Sequence, residues 1–216
     1  MDASVELVES YFKEKVQIAN QIDCSAILKL AQRVVECYEN DGTVYLAANG
    51  GPAGAIDSLA TDLRTHPFVL DNKGQSTAKR RLRVVSLVDS VGIVTGISND
   101  IGLSAIFVEQ LKNHLRSGQN SFDVFIAFSG SGNSLNILNG IDFAQTFGVF
   151  TCGITGRGGG KLKELADLCI LIPGTSNFPG QTGSNDNNFH IEDFQVSITH
   201  IVTGILKAHV AGDYAK

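Results

Sequence analysis

The amino-acid sequence predicts an α/β domain of the doubly wound, flavodoxin-like type, in which a five-stranded parallel sheet is flanked by helices and preceded by two further helices. Five short apolar runs alternate with helical segments, as is typical of strands buried on both faces of a parallel sheet. Three of these runs are followed directly by glycine-containing loops, which is where such sheets place their ligand sites. The 216 residues are expected to form one domain, with a helical layer over 1–42 and an α/β core over 43–216.

The two leading helices are predicted from apolar periodicity. Apolar residues recur near every 3.6 positions from Val5 to Ala19, and a second such pattern begins at Ser25, a suitable N-cap, and ends at Asp41-Gly42. Because apolar residues lie on more than one face of these helices, a single chain would expose a sizeable patch. We therefore expect the helices to form an interface between copies of the chain.

The remaining elements alternate between strand and helix. The predicted strands cover residues 43–48, 82–88, 123–128, 149–154 and 168–172. Helices are predicted over 52–65, over a stretch ending near 114, over 134–146 and 161–166, and, after a polar loop from 174 to 188, over a long C-terminal segment. In a parallel sheet the loops after the strands meet at one edge, and we expect the functional site there.

Composition and charge narrow the range of partners. The chain has 17 Lys and Arg against 22 Asp and Glu, so its net charge of −5 provides no basic field for nucleic acid or a membrane surface. No apolar stretch approaches the roughly 18 residues of a membrane helix, and the acidic first residues lack a signal-peptide core, so a cytoplasmic location is expected. The four cysteines are scattered without metal-ligand spacing, which argues against a disulfide framework or a cysteine-rich zinc site.

The most informative segment is Ser129-Gly130-Ser131-Gly132-Asn133-Ser134, between a predicted buried strand and a helix start. Free backbone N–H groups and the helix dipole attract an anion at such a position, and the hydroxyl groups suit a phosphate ester. The alternative is a Ser/Gly-rich turn in which Ser134 is simply an N-cap. The loop is not a Walker motif, a dinucleotide fingerprint or a nucleophile elbow, because the required spacings are absent.

Two further segments carry candidate site residues. The loop Asn49-Gly50-Gly51 permits close backbone approach to a ligand, and Asp62 lies four residues after Ser58 on the helix that follows. The C-terminal helix carries Glu192 and His200, eight residues apart, which we expect to line one cleft. The alternatives are a solvated polar stripe on the first helix and a purely structural histidine on the last.

These motifs, together with Ser98-Asn99-Asp100-Ile101-Gly102 and the loop from Thr155 to Gly160, occur in the order seen in sugar isomerase (SIS) domains. Within that family the chain resembles the phosphoheptose isomerases from about residue 5 to 210. The resemblance implies binding of a sugar phosphate and aldose–ketose isomerisation by enediol proton transfer, from sedoheptulose 7-phosphate to glycero-manno-heptose 7-phosphate. It also implies a homotetramer with its sites at subunit interfaces.

The resemblance assigns a phosphate-binding role to the residues of the two glycine-containing loops. The family loop Ser-Thr-Ser-Gly-Asn-Ser matches this chain except at Gly130, which stands in place of threonine. The family's first loop ends in serine where this chain has Pro52. The implied substrate-binding residues are Asn49, Gly50, Gly51, Ser129, Ser131, Asn133 and Ser134.

The resemblance also implies an acid–base set. The family's catalytic glutamate and histidine correspond to Asp62 and His200, and Glu192 stands where the family has glutamine. In zinc-binding members the ligand positions correspond to these three and Ser58, which cannot replace an imidazole. Asp62, Glu192 and His200 are thus the candidate ligands of an open zinc site, the alternative being a metal-free polar cleft.

Three functions are consistent with these residues. The favoured one is an isomerase, because a module that only binds has no need for three ionisable groups and their desolvation cost. The alternatives are a non-catalytic SIS regulator that binds a sugar phosphate, and an interaction protein similar to the DnaA initiator-associating protein.

Overall fold

A computed structural model describes residues 3–119, 121–181 and 188–212. Its centre is a sheet of five parallel strands in the order β2-β1-β3-β4-β5, which is the flavodoxin-like order, so the predicted fold class is confirmed. The strands are β1 (Thr43–Ala48), β2 (Arg83–Ser86), β3 (Val124–Ser129), β4 (Phe150–Gly156) and β5 (Leu168–Ile172). The helices are α1 (Ala3–Ala19), α2 (Cys24–Glu39), α3 (Gly51–Thr65), α4 (Val91–Asp100), α5 (Ile106–Leu111), α6 (Leu135–Gln145), α7 (Leu162–Leu165) and α8 (Asn188–Ala211).

Side-chain alternation along the strands produces a core on each face of the sheet. On β1, Val44 and Leu46 face one core, to which α2, α3 and α8 contribute, whereas Tyr45 and Ala47 face the second core beneath α5 and α6. Helices cover both faces, which is why the central strands are apolar almost throughout.

Some predicted elements differ in length from the observed ones. β2 ends at Ser86 rather than 88, since it is an edge strand whose ladder with β1 stops at the Leu46–Ser86 pair. The helix predicted to end near 114 is divided between α4 and α5 at Gly102, whose φ of 127° is incompatible with a continuous helix. The helix predicted over 161–166 is the single turn α7, because Ala166 is already extended ahead of β5.

The two leading helices differ in how they pack. α2 begins at Cys24, and its N-cap is Asp23 rather than the expected Ser25, because the Asp23 carboxylate accepts from the N–H groups of Ser25 and Ala26. The helix buries one face in the core that it shares with α8. By contrast, α1 buries Ile18 and leaves a stripe of apolar side chains exposed to solvent. The exposed residues of this α1 stripe are Val5, Val8, Phe12 and Val16. None of the helices in the described ranges is long and apolar enough to cross a membrane.

Candidate active site

The loop between β3 and α6 has the geometry of an anion cradle. Ser129 closes the buried strand, and its Oγ accepts a hydrogen bond from the backbone N–H of Gly132 at 3.0 Å. Ser134 is the N-cap of α6, but its side chain makes no capping hydrogen bond; its Oγ lies 3.4 Å from that of Ser129. The two hydroxyl groups therefore adjoin each other at the start of a helix whose dipole favours negative charge.

A cleft of about 260 Å³ opens beside this cradle. Five of the predicted site residues line it, and they come from three different segments of the chain: Asn49, Ser129, Ser131, Ser134 and Glu192. Gly51 borders the same region, because a side chain at this position would collide with the carboxylate of Glu192. The structure thus brings most of the predicted phosphate-binding set together.

Two predicted residues have other surroundings. Asn133 lies at a neighbouring open cleft, where its Oδ1 accepts a hydrogen bond from the backbone N–H of Lys161 at 3.1 Å. Asn133 therefore joins the loop after β3 to the loop after β4. Gly50 is the N-cap of α3 with φ of 61°, a left-handed conformation that favours glycine, and it lines a separate small cavity together with Asn49.

The loops after β3 and β4 are in direct backbone contact. The N–H of Leu162 donates to the carbonyl of Gly132 at 2.9 Å. Gly132, Gly159 and Gly160 all have positive φ, and a side chain at Gly132 would collide with the Gly159 carbonyl. The glycines of these two loops are thus explained by close packing as well as by access for a ligand.

Glu192 contributes a carboxylate to the lining of the cleft. Burial raises the pKa of its carboxyl group, and the nearby charge of Asp193 raises it further. A carboxyl group whose pKa is raised in this way, in a cleft with serine hydroxyls and amide side chains, is a candidate for proton transfer.

Sequence reasoning missed two residues that line this cleft, Arg157 and Asn188. The Arg157 guanidinium donates to Asn188 Oδ1 at 3.0 Å and contributes positive charge next to the serines. In the sequence, the indication that Arg157 contributes to the site was its position as a positively charged residue within the glycine-rich loop from Thr155 to Gly160. Another missed residue is Asn136, which exchanges two hydrogen bonds with Asn49, at 2.8 and 2.9 Å, and so ties the loop after β1 to α6.

Asp62 and His200 form a second group, away from the cradle. His200 Nε2 lies 3.7 Å from Asp62 Oδ2, and His66, which the sequence reasoning left aside, approaches the other oxygen, Oδ1, at 3.6 Å. These three side chains line a cavity of about 300 Å³ with Lys207. Arg64, on the same helix as Asp62, donates to the Val84 carbonyl and pairs with Asp89.

The structure corrects the expectation that Glu192 and His200 line one cleft. They are eight residues apart on α8, which is about 12 Å along the helix axis. Since Glu192 lies against Gly51 and His200 lies near Asp62, α3 and α8 run side by side in the same direction. Glu192 therefore lies near the start of this helix pair, whereas Asp62 and His200 lie about 12 Å further along it.

The distance between Glu192 and the Asp62–His200 pair also determines whether the residues of one chain can coordinate a zinc ion. Glu192 is too far along α8 to join Asp62 and His200, and Ser58 supplies no imidazole. In the part of the chain that the structure describes, no group of three His, Cys, Asp or Glu side chains is arranged to hold a metal ion. The donor set of a single chain does not fit the expected zinc site.

Comparisons with known proteins agree with this architecture. Residues 10–156 match the family model of the SIS domain. The chain is 33% identical to a phosphoheptose isomerase of Rhodospirillum rubrum over 86% of this chain and 87% of the relative. It is 30% identical to a phosphoheptose isomerase of Helicobacter hepaticus over 94% of this chain and 92% of the relative.

A solved phosphoheptose isomerase structure has the same fold. The enzyme from Neisseria gonorrhoeae superposes with a TM-score of 0.76 at 22% identity, covering 95% of this chain and all of that one. The chain therefore belongs to the SIS domain family, among the relatives of the phosphoheptose isomerases.

Proposed function

We propose that this protein is an aldose–ketose isomerase that interconverts sedoheptulose 7-phosphate and glycero-manno-heptose 7-phosphate. The observation that carries the proposal is the serine-lined cradle at the N-terminus of α6, in a chain whose curated relatives are phosphoheptose isomerases. A cradle of hydroxyl groups and helix N–H groups suits a phosphate monoester.

In this proposal the phosphate group binds to Ser129, Ser131 and Ser134 and to the free N–H groups of α6. Arg157 adds charge compensation from the loop after β4. Asn49 and Gly51 border the path of the sugar from the side of β1. The net charge of −5 gives the chain no general attraction for an anion, so these local donors have to supply the binding free energy.

The reaction needs no redox partner, because it moves protons between neighbouring atoms. A base removes a proton from carbon 1 of the ketose, the electron pair forms the double bond between carbons 1 and 2, and the carbonyl oxygen on carbon 2 takes up a proton to give the enediol. The hydroxyl on carbon 1 then loses its proton to become the aldehyde while carbon 2 takes up a proton. We assign these transfers to Glu192, Asp62 and His200, whose carboxyl and imidazole groups are suited to acid–base chemistry.

The separation of these residues favours a site completed by a second copy of the chain. Asp62 and His200 lie about 12 Å along α8 from Glu192, and the side chain of His200 is 61% exposed. Exposed apolar residues of the α1 stripe provide a surface for self-association. We propose a homotetramer in which the Asp62–His200 pair of one copy approaches the cradle of another.

The substitution His200→Ala tests the proposed chemistry. It should lower kcat by at least about a hundredfold, the low end of the contribution of a general acid or base, and leave the affinity for sedoheptulose 7-phosphate nearly unchanged. The measurements are a coupled aldose assay and titration calorimetry. Absence of turnover in the unaltered protein, with sugar phosphate still bound, would favour the non-catalytic regulator instead.

A further inference from the structure

A partly buried polar network joins α1 to the first turns of α8. The Oε2 atom of Glu14, on α1, lies 2.8 Å from the Nε2 atom of His190, on α8, and the His190 side chain is completely buried. The ring of Tyr11 packs on the His190 ring with a centroid distance of 4.3 Å. The Tyr11 hydroxyl and the Lys15 ammonium both donate to Asp193, at 2.7 and 2.9 Å.

Glu14 also organises the segment that follows β5. Its carboxylate accepts hydrogen bonds from the Ser176 hydroxyl at 2.6 Å and from the Asn177 backbone N–H at 3.0 Å. Ser176 in turn accepts from Gln181 Nε2 at 2.5 Å, and Gln181 Oε1 accepts from the Phe189 N–H at 2.8 Å. Glu14 thus reaches the start of α8 by two routes, through His190 and through Ser176 and Gln181.

The residues that flank His190 on α8 line the cleft. Asn188 and Glu192 are each two residues from His190, about 200° around the helix, so they project from the opposite face. His190 therefore faces α1 while Asn188 and Glu192 face the cradle, where Asn188 contacts Arg157. A shift of this helical turn would displace both cleft residues together.

We infer that Glu14 is a positioning residue for sugar-phosphate binding, which holds the first turns of α8 so that Asn188 and Glu192 keep their places in the cleft. In the described ranges the hydrogen bonds of Glu14 go to Ser176, Asn177 and His190, none of which lines the cleft, so Glu14 acts through His190 and Gln181. The inference rests on the proposed function only for the identity of the ligand. Since α1 also carries the exposed apolar stripe, the same helix bears the surface proposed for self-association.

The test compares Glu14→Ala with Glu14→Gln, and uses Glu9→Ala as the matched control on the same helix. Glu9 pairs only with Lys13 at the surface in the described part of the chain. Glu14→Ala should raise the Kd and KM for sedoheptulose 7-phosphate about tenfold, because Asn188 and Glu192 leave their places in the cleft, and it should also lower kcat, because Glu192 takes part in the proton transfers. Glu14→Gln, which keeps an acceptor for Ser176, should recover most of the affinity, and Glu9→Ala should match the unaltered protein.

A second measurement does not depend on turnover. Amide hydrogen exchange in residues 188–195 should accelerate in Glu14→Ala, while exchange in β1 and β3 stays unchanged. Faster exchange with weaker binding of inorganic phosphate would support the inference even if no isomerase activity existed. Equal affinity in Glu14→Ala and Glu9→Ala, or a loss of affinity that Glu14→Gln does not recover, would overturn it.

Discussion

The carboxylate of Glu192 is subject to two opposing electrostatic influences. Burial in the cleft disfavours its charged form and raises its pKa, with a further contribution from Asp193. The N-terminus of α3, against which it lies, favours negative charge. The raised pKa reflects burial and the charge of Asp193, and the dipole of α3 opposes both of these influences.

The raised pKa of Glu192 gives a prediction for the pH dependence of the stability of Glu192→Gln. An acid whose pKa is raised on folding contributes stability below its unfolded pKa and loses that contribution as the pH rises through the folded value. The variant should therefore melt at roughly 2 °C above the unaltered protein at pH 8 and at the same temperature below pH 4. Thermal melts across this range provide the measurement, and a variant that melts lower at pH 8 would show that the α3 dipole dominates.

At the scale of elements, the cradle depends on two loops that hold each other in place. The loop after β3 accepts a backbone hydrogen bond from the start of α7, and Asn133 accepts another from Lys161. Gly132 has φ of 67° and lies against the Gly159 carbonyl, so it meets both a conformational and a steric requirement. The shape of the phosphate cradle is consequently a property of the loop pair.

The substitution Gly132→Ala should therefore damage both stability and binding. A non-glycine residue in the left-handed region costs about 1–3 kcal/mol, and the collision with Gly159 adds to this cost. We expect a lower melting temperature and more than about tenfold weaker binding of inorganic phosphate, since the serine hydroxyls would be displaced. Both are measurable by calorimetry.

Gly158→Ala is the matched control for this substitution. Gly158 lies in the loop after β4 and has no positive φ, and a side chain there would meet no atom within 4 Å. It should bind phosphate like the unaltered protein. Equal effects of the two substitutions would contradict the assignment of a special packing role to Gly132.

At the scale of the whole molecule, the parallel packing of α3 and α8 separates the acid–base pair from the cradle. Gly51 adjoins Glu192 at one level, and Asp62 adjoins His200 about 12 Å further along. If the two groups serve one substrate, copies of the chain must contribute them jointly, and activity becomes a property of the assembly.

Mixing two inactive variants tests this arrangement. Ser134→Asp retains a good N-cap residue but places a carboxylate in the cradle, and His200→Ala removes the imidazole. Mixed oligomers with sites shared between two chains should recover about a quarter of the original activity, because random pairing leaves that fraction of sites intact. The control mixture of His200→Ala with Asp62→Ala should remain inactive, and inactivity of both mixtures would place the whole site in one chain.

The sequence by itself determined the local features of this protein. Apolar runs ending in Asn49-Gly50-Gly51 and Ser129-Gly130-Ser131-Gly132 predicted both the strands and the anion cradle, because strand burial and glycine turns are short-range properties. The predicted bounds coincide with the observed ones for β1 and β5 and differ by one residue for β3. The order of the motifs along the chain was likewise sufficient to indicate the SIS family, which the family match confirms.

Only the tertiary structure decided which of these features meet. The packing of helices and loops brings His200 to Asp62 and Glu192 to Gly51, and it places Arg157 and Asn188 at the cradle. It also joins Glu14 to His190 across 176 residues of sequence. Such contacts depend on how helices pack over the sheet, and helical periodicity specifies which face of a helix is buried but not which residue of another helix it meets.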